Sequence, residues 1–494
     1  MKPPPAPRSR RCLLRLAALG LALLPFLSIE GLLRVKHPEW ILTEEDPLLG
    51  FTDNHSLFEI NPATGFYQIK KTRLRAFAQN GFPSDKGDHT FRIFCLGGST
   101  VQGRPYAVET AFTTWLRLAL EAAYPKKNFE VINAGGVSYA SYRLVPILKE
   151  CLRHQPDLIL VCTGNNEFLE DRSYAFTKKA APWLAPVLNS LNRSMLIQAA
   201  LSLGSRWSSP TRPHAMLGPR VDAMLDYERG IERYHRNAAW NTSVVKHFED
   251  NIMRMIRACH TQDIPLMLLS PCFNLKDTPP FKSQHQAGHT PEQMKKWHDL
   301  TEQASRCMSQ DPDKASALLQ SALQLDKGYA ATWYALGKVF LQKGDFTRAR
   351  QCFTQALEQD VCPLRITAGM RQILRKLADR WDVPFYDLQD MAFQESPLGI
   401  VGSEFLVDHV HPSIRGHQLL GSELAQRIQA RCLPYPPEAI TRQQLQTRFQ
   451  KHLKSLPDTY FLHGLQRLKN LQAWTQGRAD GAPIENHPEI KHGL

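Results

Sequence analysis

Short runs of apolar, β-capable residues alternate with stretches of helical periodicity along much of the chain. Residues 92–96 read as a buried strand and are followed by a helix near 111–123; 129–133 form a second strand, followed by a helix near 142–154. A third strand spans 157–162. After Glu170 the pattern loosens, through the turn-rich 202–219, until a helix from about 244 to 259 feeds a strand at 264–270. A fifth strand at 383–388 and a helix at 413–432 close the series. Short apolar strands separated by amphipathic helices pair in parallel through right-handed crossovers, so the pattern predicts an α/β domain.

The fourth and fifth strands stand more than a hundred residues apart, and the intervening stretch repeats itself. Ala315, Leu319 and Ala322 recur as Ala349, Phe353 and Ala356, the same step of 34 residues each time, with Trp333, Leu336, Gly337 and Phe340 between them. Small residues that let two helices approach, and large ones that fill the groove, make this a tetratricopeptide-like unit. Val361 stands where the signature has Pro, and the half-repeat before Asp311 is degenerate. The expectation is helical hairpins packed on the sheet domain rather than a free solenoid.

The ends differ from this middle. Arg8, Arg10, Arg11 and Arg15 precede an uncharged apolar run at 16–29, which Leu32, Leu33 and Val35 lengthen if Glu30 and Arg34 lie at an interface. No A-x-A cleavage site follows, so the head reads as an uncleaved signal-anchor with its basic end in the cytoplasm and the rest exported. A buried helix in a cytosolic protein is the alternative. Residues 37–89 are polar with scattered aromatics and predict a β-rich or irregular lead-in. Beyond Pro434, Pro436 and Pro437 the chain looks helical, basic and peripheral.

Composition adds little until it is located. The chain has 494 residues, 43% hydrophobic, enough for a real core and more than one domain. Its formal charge of +13 suggests nucleic acid, but much of the excess flanks the apolar head, and no basic stripe interleaved with aromatics occurs elsewhere. Ten cysteines without a CxxC pair support neither zinc nor thioredoxin-type chemistry, and Cys95 and Cys162 fall within strands as small hydrophobes. The run from Gly98 to Gly103-Arg104-Pro105 nearly spells a phosphate loop, but Arg replaces Lys and Pro the Mg²⁺-binding hydroxyl.

Candidate chemistry gathers at strand ends. After the first strand comes Gly97-Gly98-Ser99-Thr100, where glycines permit a turn that a Cβ would resist, and Ser99 either caps a helix or acts at the ligand-binding edge of the sheet. Asp408-His409-Val410-His411-Pro412 lies between the last strand and last helix; a D-x-x-H loop can aim a carboxylate at one imidazole nitrogen and leave the other free to take a serine proton. His409 and His411 read equally as a pair of metal ligands, and His417 as a surface or packing residue. The loop after the second strand, 133–139, offers backbone N–H groups, and that after the third, 163–167, offers side-chain amides. Both suit an oxyanion.

These segments together resemble the SGNH hydrolases, or GDSL-like esterases. Gly97-Gly98-Ser99-Thr100 resembles the block that carries the nucleophile, Gly164-Asn165-Asn166-Glu167 the G-x-N-D block, and Asp408 with His411 the D-x-x-H block. The resemblance implies a flavodoxin-like three-layer fold with five parallel strands, Ser99, Asp408 and His411 as catalytic residues, and an oxyanion hole from Ser99, Gly136 or Ser138, and Asn166. The glycine of the second block falls on Ser138, and Glu167 replaces the usual Asp. Arg104, Tyr106, Asn165, Glu167, Arg172 and Asn274 are candidates for the substrate entrance. The variants are similar to bacterial membrane-anchored, exported members, some fused to tetratricopeptide repeats.

The implied organisation is a signal-anchor at 1–36, a lead-in at 37–89, hydrolase segments at 90–290 and 379–432 around a helical insertion at 291–378, and a helical extension at 433–494. The implied function is metal-free and cofactor-free hydrolysis of O-acyl esters on an extracytoplasmic glycan or lipid, with the membrane bound through the N-terminal helix and a protein partner at the repeats. Transfer of the acyl group to a sugar hydroxyl uses the same residues. A binding or assembly protein with a vestigial site is the alternative from another class.

Overall fold

The computed structural model describes residues 49–51, 56–171, 215–217, 220–227, 229–433 and 436–476, with scattered positions between 21 and 32. The chain divides into two compact units. The smaller takes in 1–51, 172–217 and 237–243; within it Leu49–Phe51 pairs in parallel with Ala215–Leu217. Most of the expected signal-anchor lies outside the described residues. No described helix is long and apolar enough to cross a membrane, and Leu21, Leu24, Phe26, Ile29 and Leu32 carry exposed side chains.

The larger unit opens with a three-stranded antiparallel sheet, β1 (Phe58–Asn61), β2 (Phe66–Ile69) and β3 (Gly81–Pro83), in the expected lead-in. The alternating part follows: β4 (Thr90–Gly97), the single-turn α1 (Ser99–Gln102), α2 (Phe112–Ala123), β5 (Asn128–Gly135), α3 (Ser141–Cys151) and β6 (Leu158–Cys162). Then come α4 (Ala238–His260), which belongs to this unit from Val244 on, and β7 (Leu266–Ser270). Helices α5 (Pro291–Cys307), α6 (Pro312–Leu325), α7 (Ala330–Gln342) and α8 (Phe346–Gln359) form the insertion. The chain returns through α9 (Ala368–Trp381), β8 (Phe385–Asp387), α10 (Leu388–Glu395) and α11 (Ile414–Cys432), and ends with α12 (Arg442–Lys454) and α13 (Asp458–Gln476).

Five strands make one parallel sheet in the order β8-β7-β6-β4-β5. Counting only these strands along the chain, the order is 2-1-3-4-5, the flavodoxin-like arrangement whose ligands bind at the carboxyl ends. β4 is an interior strand and apolar because both faces are covered: Ile93 and Cys95 pack with Trp115, Leu116 and Leu420, while Phe94 is equally buried.

The 34-residue step appears in the insertion as packing. Ala315, Leu319, Ala322, Ala349, Phe353 and Ala356 are all buried, and a Cβ on Gly337 would lie 2.7 Å from the Phe353 ring, so only glycine lets that ring seat. The caps share the step: Asp311 accepts from Lys314 N at 2.9 Å and Asp345 from Arg348 N at 3.0 Å. The hairpins are tied to the sheet domain, with Tyr334 Oη donating to the Lys276 carbonyl at 2.8 Å and Asp360 accepting from the N–H groups of Phe281 and Lys282. The expected insertion boundary at 378 falls inside α9, whose Leu374 and Leu377 are buried in the crossover between β7 and β8.

The C-terminal extension is not peripheral. On α12, Phe449 is buried with its ring 4.8 Å from that of Trp115, and on α13 Leu468 is wholly buried. Tyr460 shares a 2.8 Å hydrogen bond with Thr110. Both helices are mostly polar, and a few anchoring residues leave no visible stripe in the sequence.

Candidate active site

The turn from β4 into α1 depends on glycine for space rather than for dihedral freedom. Gly98 has φ −84°, open to any residue, but a Cβ there would lie 2.6 Å from Asn166 Nδ2 and 3.3 Å from the Tyr139 carbonyl. At Gly97 it would strike the Cys162 carbonyl and Val101. The loops after β4, β5 and β6 therefore converge on Ser99. Left-handed Gly103 (φ +100°) ends α1.

From the far end of the domain, His411 Nε2 lies 2.7 Å from Ser99 Oγ, and His411 Nδ1 lies 2.7 Å from Asp408 Oδ2. Asp408 Oδ1 accepts from the N–H groups of Val410 at 2.9 Å and His411 at 2.7 Å. Burial alone would raise the Asp408 pKa, but the neighbouring His411 and His409 and these hydrogen bonds outweigh it and hold the carboxyl well below its usual range. Thr100 Oγ1 donates to the Val410 carbonyl at 3.4 Å, tying the serine segment to the histidine loop. Both nitrogens of His411 are engaged, which removes the reading of His409 and His411 as joint metal ligands.

His409 packs beside this chain of contacts, its Nδ1 3.6 Å from Asp408 Oδ2 and its ring edge-on to Phe281. Burial, against the pull of Asp408, pushes it down to about 4. His417 is a packing residue rather than a surface one: its Nδ1 accepts from Phe112 N at 3.2 Å, and burial with the adjacent His411 charge pushes it down to about 3.

Donors for an oxyanion are narrowed by what else they do. The Gly136 N–H donates to the Gly97 carbonyl at 2.9 Å and is spent within the sheet edge, so it leaves the expected set. Ser138 holds φ +62°, the conformation for which glycine is the usual choice. Among the described residues nothing accepts from its N–H. Asn166 Nδ2 gives one hydrogen to the Tyr139 carbonyl at 3.0 Å, and a primary amide has a second.

Most of the expected entrance residues have structural duties instead. Tyr106 is buried against Gly464 and stacks on Tyr460. Glu167, wholly buried, accepts from Ser141 N at 2.7 Å and Oγ at 3.0 Å; Asn165 Oδ1 accepts from Ile366 N. Asn274 is buried, its N–H on the His409 carbonyl and its Oδ1 accepting from Asp277 N. Glu167, Asn165 and Asn274 are polar residues at loop ends, where capping a neighbouring backbone and contacting substrate look alike in sequence. Arg172 lies outside the described residues, and Arg104 is half-buried beside α1. The sequence carried no signal for Arg467, which reaches this region from α13 with Nε on the Pro105 carbonyl at 2.7 Å.

Ser99, His411 and Asp408 thus stand in hydrogen-bonded series at the carboxyl edge of a doubly wound α/β sheet, flanked by amide donors, and the chain carries a tetratricopeptide-like insertion. A tetratricopeptide repeat model matches residues 308–363. No curated protein matches the chain. Solved structures similar in fold include the lipase/acylhydrolase from Enterococcus faecalis, at 14% identity and TM-score 0.31 over 71% of this chain and 100% of that one. A GDSL-like lipase from Bacteroides thetaiotaomicron VPI-5482 matches at 10% identity and TM-score 0.27 over 69% and 88%.

Proposed function

We propose that the protein is a serine hydrolase of O-acyl esters. The observation that carries this is the unbroken series from Ser99 Oγ through His411 to Asp408, each link at 2.7 Å. Ser99 Oγ attacks the ester carbonyl carbon as its proton passes to His411 Nε2, while buried Asp408 accepts from Nδ1–H and stabilises the imidazolium. The negative oxygen is held by the N–H groups of Ser99 and Ser138 and the second N–H of Asn166. Collapse breaks the ester C–O bond, the departing alcohol takes the proton from His411, and water, deprotonated by His411, then releases the acid from acyl-Ser99.

The substrate we infer is an ester on an extracytoplasmic glycan or lipid, with the chain anchored through its N-terminal apolar run; Arg8, Arg10, Arg11 and Arg15 before that run support this orientation. If an alcohol rather than water reaches acyl-Ser99, the same residues perform acyl transfer. The repeat match at 308–363 supports a protein partner at the insertion.

The test is turnover of an aryl acetate by the full chain and by Ser99→Ala. Expected is loss of on the order of a thousandfold or more in kcat with an unchanged melting temperature, and a similar loss for Asp408→Asn, which presents the wrong hydrogen-bond partner to His411. Equal rates for wild type and Ser99→Ala would leave the insertion's scaffold role as the surviving reading.

A further inference from the structure

The short turn that leads out of the insertion, between α8 and α9, touches two loops of the candidate site. Asp360, where it begins, accepts from Phe281 N at 2.7 Å and Lys282 N at 3.0 Å. Further along it, Arg365 Nη1 donates to the carbonyls of Asn274 and Thr278, both at 2.9 Å, and Nη2 to that of Pro279 at 3.3 Å. The segment after β7 is thus gripped along its length, 274–279 by Arg365 and 281–282 by Asp360. That segment in turn meets the histidine loop: Asn274 N donates to the His409 carbonyl at 2.8 Å, and the Phe281 ring lies edge-on to that of His409, 5.0 Å between centroids.

Ile366, next to Arg365, is pinned to the other loop. Its N–H donates to Asn165 Oδ1 at 2.9 Å, and its side chain lies against Gly164, where a Cβ would be 2.5 Å from Ile366 Cδ1. The residue that follows is Asn166, whose amide lies over Gly98. Adjacent residues of one turn therefore join the backbone that carries Asn166 to the backbone that leads to His411.

The bonding of Arg365 is not that of an ordinary buried ion pair. Arg143 places Nε and Nη2 on Glu170, both at 2.6 Å. Arg365 instead lies 3.6 Å from Asp360, beyond hydrogen-bond reach, and spends its Nη donors on carbonyls. A rigid planar fork fixes several acceptors relative to one another, which a single ammonium on a flexible stem does not.

We propose that Arg365 is a positioning residue for the reaction at Ser99: from the end of the insertion it fixes the 274–279 segment, and through it the loop that carries Asp408 and His411, in register with the turn that carries Asn166. This rests on the reading of Ser99 as nucleophile for what the positioning serves, and it makes the tetratricopeptide-like insertion part of the framework of the active site.

Two measurements on the full chain test it. The first, amide hydrogen exchange read by mass spectrometry, does not depend on turnover. Arg365→Lys keeps a charge near Asp360 but loses the fork; Arg365→Gln loses both. In each, exchange at 406–412, whose Val407, Val410 and His411 N–H groups are bonded within the loop, should rise about tenfold or more while β4 exchanges as in wild type. Unchanged exchange at 406–412, or a rise that β4 shares in Arg365→Lys, overturns the proposal, whether or not the chain hydrolyses esters. Should Arg365→Gln fail to fold, Arg365→Lys decides. The second is kcat and KM for phenyl acetate, counted per serine that a fluorophosphonate labels. Arg365→Lys should lower kcat per labelled serine about ten- to a hundredfold with KM within about twofold of wild type, the scale of a small misplacement of reacting groups. An arginine that only holds the fold together would lower the number of labelled serines and leave kcat per serine unchanged, and that result overturns the proposal. Equal phenyl acetate turnover by wild type and Ser99→Ala would instead defeat the hydrolase reading, leaving the exchange measurement to decide whether Arg365 holds the histidine loop.

Discussion

Asn166 stands directly over Gly98, with its Nδ2 where a β-carbon on residue 98 would be 2.6 Å away and with one hydrogen committed to the Tyr139 carbonyl at 3.0 Å. The missing side chain at 98 therefore sets where the amide beside Ser99 sits. Gly98→Ala keeps an allowed backbone, since φ is −84°, yet must displace the amide. Expected is a fall in kcat on the order of a hundred- to a thousandfold, the usual loss when one oxyanion donor is removed. Because both changes act on the same donor, Gly98→Ala/Asn166→Ala should cost little more than Asn166→Ala alone, and a double-mutant cycle on kcat/KM checks this. Fully additive losses would mean that residue 98 acts by some other route.

Ser138 presents its N–H from a left-handed conformation, φ +62°. For a residue with a Cβ that conformation costs about 1–2 kcal/mol, while glycine in its place loses about 0.5–1 kcal/mol more entropy on folding. Ser138→Gly should therefore stabilise the chain by about 0.5–1 kcal/mol, read from urea midpoints at constant m-value. A destabilised variant would show that the serine side chain contributes more than the strain removes.

His417 sits neutral in the core, with a pKa of about 3 in the folded state against 6.5 ordinarily. Between those values the unfolded chain holds a proton that the native chain refuses, so stability falls as pH drops from about 6.5 towards 3 and the loss then levels off. Each such group contributes a slope of up to about 1.4 kcal/mol per pH unit. His409 acts in the same sense down to about 4, whereas buried Asp360, raised to about 6, acts in the opposite sense between 3.8 and 6. The clean measurement is therefore a difference: His417→Gln, which can still accept from Phe112 N, should bind close to one proton fewer on unfolding at pH 5 than wild type. Identical pH slopes for the two chains would contradict the buried neutral histidine.

Much of the fold was legible because its signals are local. Each strand of the parallel sheet shows as an apolar run, and the 34-residue step marks the insertion with the alanines and Phe353 that later prove buried. That Ser99, His411 and Asp408 come together was expected for a different reason: the blocks that carry them resemble those of one family in order and spacing, and the hydrogen bonds show the three side chains meeting. Tyr106, Glu167 and Asn274 were misread because a polar or amphipathic side chain at a loop end serves a neighbouring backbone or a substrate with the same atoms. The extension was misread because α12 and α13 hold on through a few residues, Phe449, Gly464 and Leu468 among them, whose importance depends on Trp115 and Tyr106 more than three hundred positions earlier.

What the sequence by itself determined is the alternation that makes a parallel sheet, the repeat in the insertion and the residue types available at the strand ends, because hydrophobic period and turn chemistry act between near neighbours. Which N–H groups remain free, why residue 98 must lack a side chain and which helix packs against Tyr106 were decided only by the tertiary structure. Those are matters of space and hydrogen-bond satisfaction between segments that meet only after the chain has folded.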